Sequence, residues 1–169
     1  MKKIIIINGR GETGKDTFIS YVSQISNLVT YEFSSISPIK EVAKILKWDG
    51  VKNEKSRKFL SDLKSLATEF NDLPNRYLKY SIKRSIDDCL IFIQIREPEE
   101  IDSFIDYIKD VPDIEMSTLL IKRHNNNLNN KSDDNAENYV YDTVIENKGT
   151  LEELKTKAEQ YCYNERLIG

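Results

Sequence analysis

Residues 2–17 read Lys2-Lys3-Ile4-Ile5-Ile6-Ile7-Asn8-Gly9-Arg10-Gly11-Glu12-Thr13-Gly14-Lys15-Asp16-Thr17, and the reading of this stretch decides the fold. Ile4 to Ile7 is apolar without alternation, the mark of a strand buried on both faces. Gly9 to Lys15 then has the G-x-x-x-x-G-K spacing of a phosphate-binding loop. Glycines let backbone N–H groups turn inward onto phosphate oxygens, and the helix that follows aims its positive end at the anion. Lys15 can bridge the β- and γ-phosphates. A plain glycine-rich turn with an exposed lysine is the bland alternative. It does not account for the placement between an all-apolar strand and a helix. Residue 16 is Asp where Ser or Thr usually ligates Mg²⁺; a carboxylate is still a hard oxygen donor, and an acidic residue there also stabilises a helix N-terminus. Thr17 lies one place late, about 100° around the helix.

Outward from the loop, strands and helices alternate. A helix is predicted over residues 15–28 and a strand over 29–33. Ser37-Pro38 resembles a helix start, with Ser as cap and Pro in the first turn. Residues 37–88 are mostly helical, with Val42, Ile45, Leu46, Phe59, Leu60, Leu63 and Leu66 at helical spacing. Further strands are expected at 90–95, 116–122 and 141–145, and a helix at 98–109. Residues 124–137 form an Asn- and Asp-rich loop. Thr150 with Glu153 three residues on predicts a capping box for the last helix. The fold class expected is therefore α/β, a three-layer domain of about five parallel strands with helices on both faces. Residues 1–169 read as a single domain, with a helical acceptor-binding region at 37–88 and a lid at 123–137. Ligands of such sheets sit at the C-terminal strand ends.

Composition narrows the function. The 25 Lys and Arg against 28 Asp and Glu leave a net charge of −3, which argues against binding polymeric nucleic acid by bulk charge. No apolar run approaches the ~20 residues that span a bilayer. A cytoplasmic location without membrane attachment is expected. The one His, His124, excludes a multi-histidine metal site. Cys89 and Cys162 lack metal spacing, and Cys89 is expected to pack as a small hydrophobe.

Asn147-Lys148-Gly149-Thr150 lacks the Asp with which the Asn-Lys-x-Asp motif selects guanine, so a GTPase does not fit. Small-molecule kinases need an acceptor-binding insertion and a lid that excludes water, and residues 37–88 and 123–137 supply candidates for both. At this point the chain resembles the bacteriophage and bacterial deoxynucleoside monophosphate kinases of the P-loop nucleoside monophosphate kinase superfamily. Four stretches carry the resemblance: GKDT at 14–17, FSSISPIKE at 33–41, IREPEE at 95–100 and YDTVIENKGTLEEL at 141–154. The family strand before the Arg often carries an Asp suited to a Walker B role; here Gln94 stands in that place.

The resemblance implies ATP-dependent phosphoryl transfer to a nucleoside or deoxynucleoside monophosphate, with ATP and Mg²⁺ as cofactors. The partner is a small-molecule substrate, and a homodimer stays open. Gly9, Arg10, Gly11, Glu12, Thr13, Gly14, Lys15, Asp16 and Thr17 would bind the donor, with Asp16 toward Mg²⁺. Asn147, Lys148 and Gly149 would border the adenine through backbone contacts, which gives their side chains little weight. Lys15, Arg96 and Arg123 would act on the transferring phosphate, and Lys40, Arg57 and Arg96 on the acceptor. Trp48 and Tyr77 are candidates for stacking on its base. Dephospho-CoA or another small acceptor, a non-catalytic nucleotide binder and an interaction protein with a chance P-loop are the alternatives.

Overall fold

A computed structural model describes residues 1–123 and 135–168. Contacts divide the chain into two compact units, one of residues 1–32 with 86–169 and one of residues 33–85.

The first unit is built on the sheet. Its strands are β1 (Lys2–Asn8), β2 (Val29–Ser34, which runs into the second unit), β3 (Cys89–Gln94), β4 (Ile114–Lys122) and β5 (Thr143–Glu146), in the spatial order β2-β3-β1-β4-β5. β1 pairs in parallel with β3 and with β4, and β4 with β5. The helices are α1 (Lys15–Ile25), α5 (Pro98–Ile108), a 3₁₀ turn (Asn135–Asn138) and α6 (Leu151–Asn164). β1 leads through α1 to β2 on one side, and β3 leads through α5 to β4 on the other. Right-handed crossovers running in opposite directions put α1 and α5 on opposite faces. That makes three layers and explains why β1 is apolar on both faces. Ile5 and Ile7 join Phe18, Val22, Phe92, Leu154 and Ala158 in one core cluster, while Ile4 and Ile6 are equally buried on the other face. Truncating a fully buried ring such as Phe18 or Phe92 to Ala costs about 3–5 kcal/mol. Cys89 is buried in the strand, as expected of a small hydrophobe.

The second unit carries α2 (Ser37–Ile45), α3 (Glu54–Asn71) and α4 (Leu73–Arg84). Its buried apolar residues include Pro38, Ile39, Ala43, Pro74, Leu78 and Ile82. Asn53 caps α3 by accepting from Ser56 N–H at 2.8 Å.

Several boundaries differ from expectation by one to three residues, and three of them have a visible cause. Ser37 does not cap α2. The backbone is already helical at Ile36, whose carbonyl accepts from Lys40 N–H at 3.0 Å, so Ser37 is the first helical residue. α1 stops at Ile25 because Ser26 is extended and its hydroxyl accepts from Leu28 N–H. β5 begins at Thr143 because the Asp142 carboxylate accepts from both Thr118 N–H and Thr118 Oγ1–H at 2.8 Å, replacing strand pairing. The capping box of α6 forms as predicted, with Thr150 and Glu153 bonding each other's backbone N–H.

Candidate active site

The connections leaving β1 and β3 run in opposite directions, so a crevice opens between their C-terminal ends. The loop of residues 9–14 lies there. Gly14 is in the left-handed region, at φ 88°, and a Cβ on it would stand 2.6 Å from Asn147 Nδ2. A Cβ on Gly9 would stand 2.7 Å from the Ile121 carbonyl oxygen. Only glycine fits either place. Glu12 is also left-handed, at φ 62°, a conformation that costs a non-glycine residue about 1 kcal/mol. Gly14 occupies the cap position of α1 without any side-chain hydrogen bond to the helix. The first N–H groups of α1 therefore have no side-chain cap, the condition an anion site requires.

Lys15 is the first residue of α1, with its side chain 15% exposed. Its ammonium donates to Gln94 Oε1 at the end of β3 and lies 3.7 Å from the Asp16 carboxylate. Burial pushes its pKa below the ordinary lysine value. Asp16 works against that shift, Arg96 adds to it, and Glu32 opposes it. A partly desolvated cation at a phosphate loop is suited to offsetting charge on a transferring phosphoryl group.

Asn8 ties the edge together. Its Oδ1 accepts from Gly9 N–H at 2.8 Å, and its Nδ2 donates to the Arg96 carbonyl at 2.8 Å and to Tyr141 Oη at 2.9 Å. Tyr141 donates in turn to the Ala136 carbonyl at 2.8 Å, and burial pushes its phenol up to about 12. One buried amide thus links the phosphate loop, the turn that bears Arg96 and the 3₁₀ turn before β5. On the other side of the loop, Glu137 takes Arg10 Nε at 3.1 Å and Lys122 Nζ at 2.6 Å.

The structure brings several expected residues to this edge. Residues 9–17 and Arg96 meet there, and Asn147 lies beside the loop. The weight given to Asn147 needs correction. It is buried, its Nδ2 donates to the Thr13 carbonyl at 2.8 Å, and its N–H donates to the Lys122 carbonyl at 2.7 Å. Its side chain holds the loop, so its identity matters. Lys148 pairs with Glu146 and is exposed, as is Gly149. Arg123 is exposed directly after β4. It is Lys122 that has a partner on this edge, in Glu137. Residues 124–134 of the expected lid, and His124 with them, lie outside the described residues. Within the second unit, Lys40 lies on α2 and Arg57, exposed, on α3. Trp48 donates from Nε1 to Ser56 Oγ at 3.1 Å, and Tyr77 is half-buried on α4. The Trp48 bond commits its indole N–H inside that unit.

Sequence reasoning missed Asn8, Glu32, Glu137 and Tyr141. For Asn8 there was one signal, a polar residue closing an all-apolar strand next to the loop. The other three act through contacts distant in sequence.

For a cation, the described residues hold no group of three or more His, Cys, Asp or Glu side chains. Asp16 fits Mg²⁺ as a single carboxylate, exposed in the first turn of α1 and adjoining Lys15. Mg²⁺ in nucleotide sites is held by one or two carboxylates, with phosphate oxygens and water completing its shell.

No family model and no curated protein matches the sequence. Solved structures are similar in fold. The tunicamycin resistance protein of Deinococcus radiodurans superposes with a TM-score of 0.58 at 14% identity, over 99% of this chain and 98% of that one. An APS kinase of Mycobacterium tuberculosis (TM-score 0.46, 13% identity, 96% of this chain and 97% of that one) and a sugar kinase from Janibacter (0.46, 11%, 96% and 95%) are more distant. With five parallel strands, helices on both faces and the phosphate loop after β1, the chain has a three-layer α/β P-loop fold. No described helix is long and apolar enough to cross a membrane.

Proposed function

We propose that the protein transfers the terminal phosphoryl group of ATP to a nucleoside or deoxynucleoside monophosphate. The observation that carries the reading is the partly desolvated ammonium of Lys15, held by Gln94 in the crevice between β1 and β3. Loop amides and the open N-terminus of α1 would bind the donor phosphates. Lys15 would offset charge on the migrating group, and Arg96, on the turn anchored by Asn8, would take phosphate oxygens with its fork. When bound, Mg²⁺ supplies further charge neutralisation, with Asp16 as its ligand from the chain. An acceptor phosphate is already ionised near neutral pH, so no strong general base is needed. The acceptor class rests on the sequence resemblance, above all on FSSISPIKE and IREPEE, with Lys40 and Arg57 as its expected contacts in the 33–85 unit.

The test is ADP formation from ATP and Mg²⁺ with each nucleoside and deoxynucleoside monophosphate, with dephospho-CoA included and a Lys15→Ala control. Turnover with one or a few monophosphates, lost in the control, is expected. Turnover with dephospho-CoA alone would move the acceptor. ATP binding without turnover on any acceptor would leave a non-catalytic nucleotide binder, the reading that Gln94 in the place of an acid favours.

A further inference from the structure

Gln94 stands where the resembling family carries a strand-end acid, yet the edge has not lost a carboxylate. Gln94 Nε2 donates to the Glu32 carboxylate near the end of β2, while Gln94 Oε1 accepts from Lys15. The amide's orientation is forced, because an ammonium only donates and a carboxylate only accepts. Glu32 is exposed, and its charge works against the effect of burial on Lys15, less than that of Asp16 does. Glu32 and Asp16 also line one open groove of about 330 Å³, together with Ser20, Gln24, Thr30 and Tyr31.

From this geometry we infer that Glu32 supplies the negative charge of the donor-nucleotide cation site, displaced by one strand from the position at Gln94. Residues 32 and 94 work as a matched pair. An acid at 94 would face the Glu32 carboxylate as a like charge, whereas an amide there satisfies both Glu32 and Lys15. Glu32 acts as a positioning residue. It holds Gln94, and through Gln94 the Lys15 ammonium, and it presents a carboxylate in the groove that Asp16 shares. The inference rests on the nucleotide-binding reading above, and the experiment separates the two.

ATP is titrated calorimetrically into the full chain, once in EDTA and once in excess Mg²⁺. Wild type should bind in both and more tightly with Mg²⁺. Glu32→Gln should lose about tenfold of the Mg²⁺-dependent gain, the usual size for an outer-shell partner of a metal. The exchange variant Glu32→Gln with Gln94→Glu keeps both side-chain lengths and the bonding chain, and should recover most of the gain. An undiminished gain in Glu32→Gln, no recovery in the exchange variant, or a wild type indifferent to Mg²⁺ would each overturn the inference while leaving nucleotide binding in place. A wild type that binds no ATP in either buffer would remove both.

Discussion

The sheet edge and the helical stretch of residues 33–85 assign their charged residues in opposite ways. At the edge, Lys15, Gln94, Asn8 and Asn147 are held by hydrogen bonds that join residues more than 75 positions apart. In the helical unit, Arg57 is an exposed residue one turn into α3, and Lys40 is half-buried on α2. A buried, fully bonded polar group is costly to disturb, whereas an exposed one is free of the fold. The edge is therefore prepared before any ligand arrives. On the proposed function, charges on the helices show their value only when an acceptor is present.

The comparison breaks first at Lys15. Lys15→Ala should lower phosphoryl transfer by about three orders of magnitude or more, read as kcat/KM against the best acceptor. Because burial holds the Lys15 pKa below the ordinary lysine value, ATP affinity should decline with rising pH before pH 10.5. Lys15→Met should remove that decline. Stability has the opposite sign. Between the depressed folded value and the unfolded one, the unfolded chain binds more protons, so wild type gains stability with pH in that window. Lys15→Met should lack this gain in melts across the same pH range.

Next comes Asn8. Asn8→Ala strips partners from Gly9 N–H, the Arg96 carbonyl and Tyr141 Oη. It should cost about 2–4 kcal/mol in chemical denaturation, whereas Tyr141→Phe should cost about 1 kcal/mol. In the helical unit, Arg57→Ala should change stability by no more than about 0.5 kcal/mol and raise the acceptor KM about tenfold, with the KM for ATP unmoved. An equal rise in both KM values would remove the distinction between the two regions. The smallest effect is expected at Glu12, where Glu12→Gly relieves a left-handed residue and should stabilise by at most about 1 kcal/mol.

The architecture was legible because its signals are local. Ile4 to Ile7 announced a strand covered on both faces, the glycine spacing fixed the loop, and Thr150 with Glu153 announced a capping box that forms. The departures at Ser37 and at the end of α1 were equally local: the helical backbone already begins at Ile36, and Ser26 accepts from Leu28 N–H. The start of β5 was not, because Asp142 bonds Thr118, 24 positions away. Of the site, the loop and the turn that bears Arg96 were legible. The Asn147 side chain was given little weight because a turn beside a base needs only backbone contacts, yet its amide fills the space against Gly14 that no Cβ can enter. Glu32 and Glu137 could not be found from sequence, because nothing along the chain says that they meet Gln94, Arg10 and Lys122.

The proposed function requires that the crevice between β1 and β3 move a phosphoryl group and not merely hold one. The most direct test is phosphorus NMR of ATP, Mg²⁺ and a nucleoside monophosphate incubated with the protein. Growth of nucleoside diphosphate signals from the acceptor in step with ADP, absent with Lys15→Ala, is expected. Inorganic phosphate in place of a phosphorylated acceptor, or the same diphosphate signals with Lys15→Ala, would contradict it.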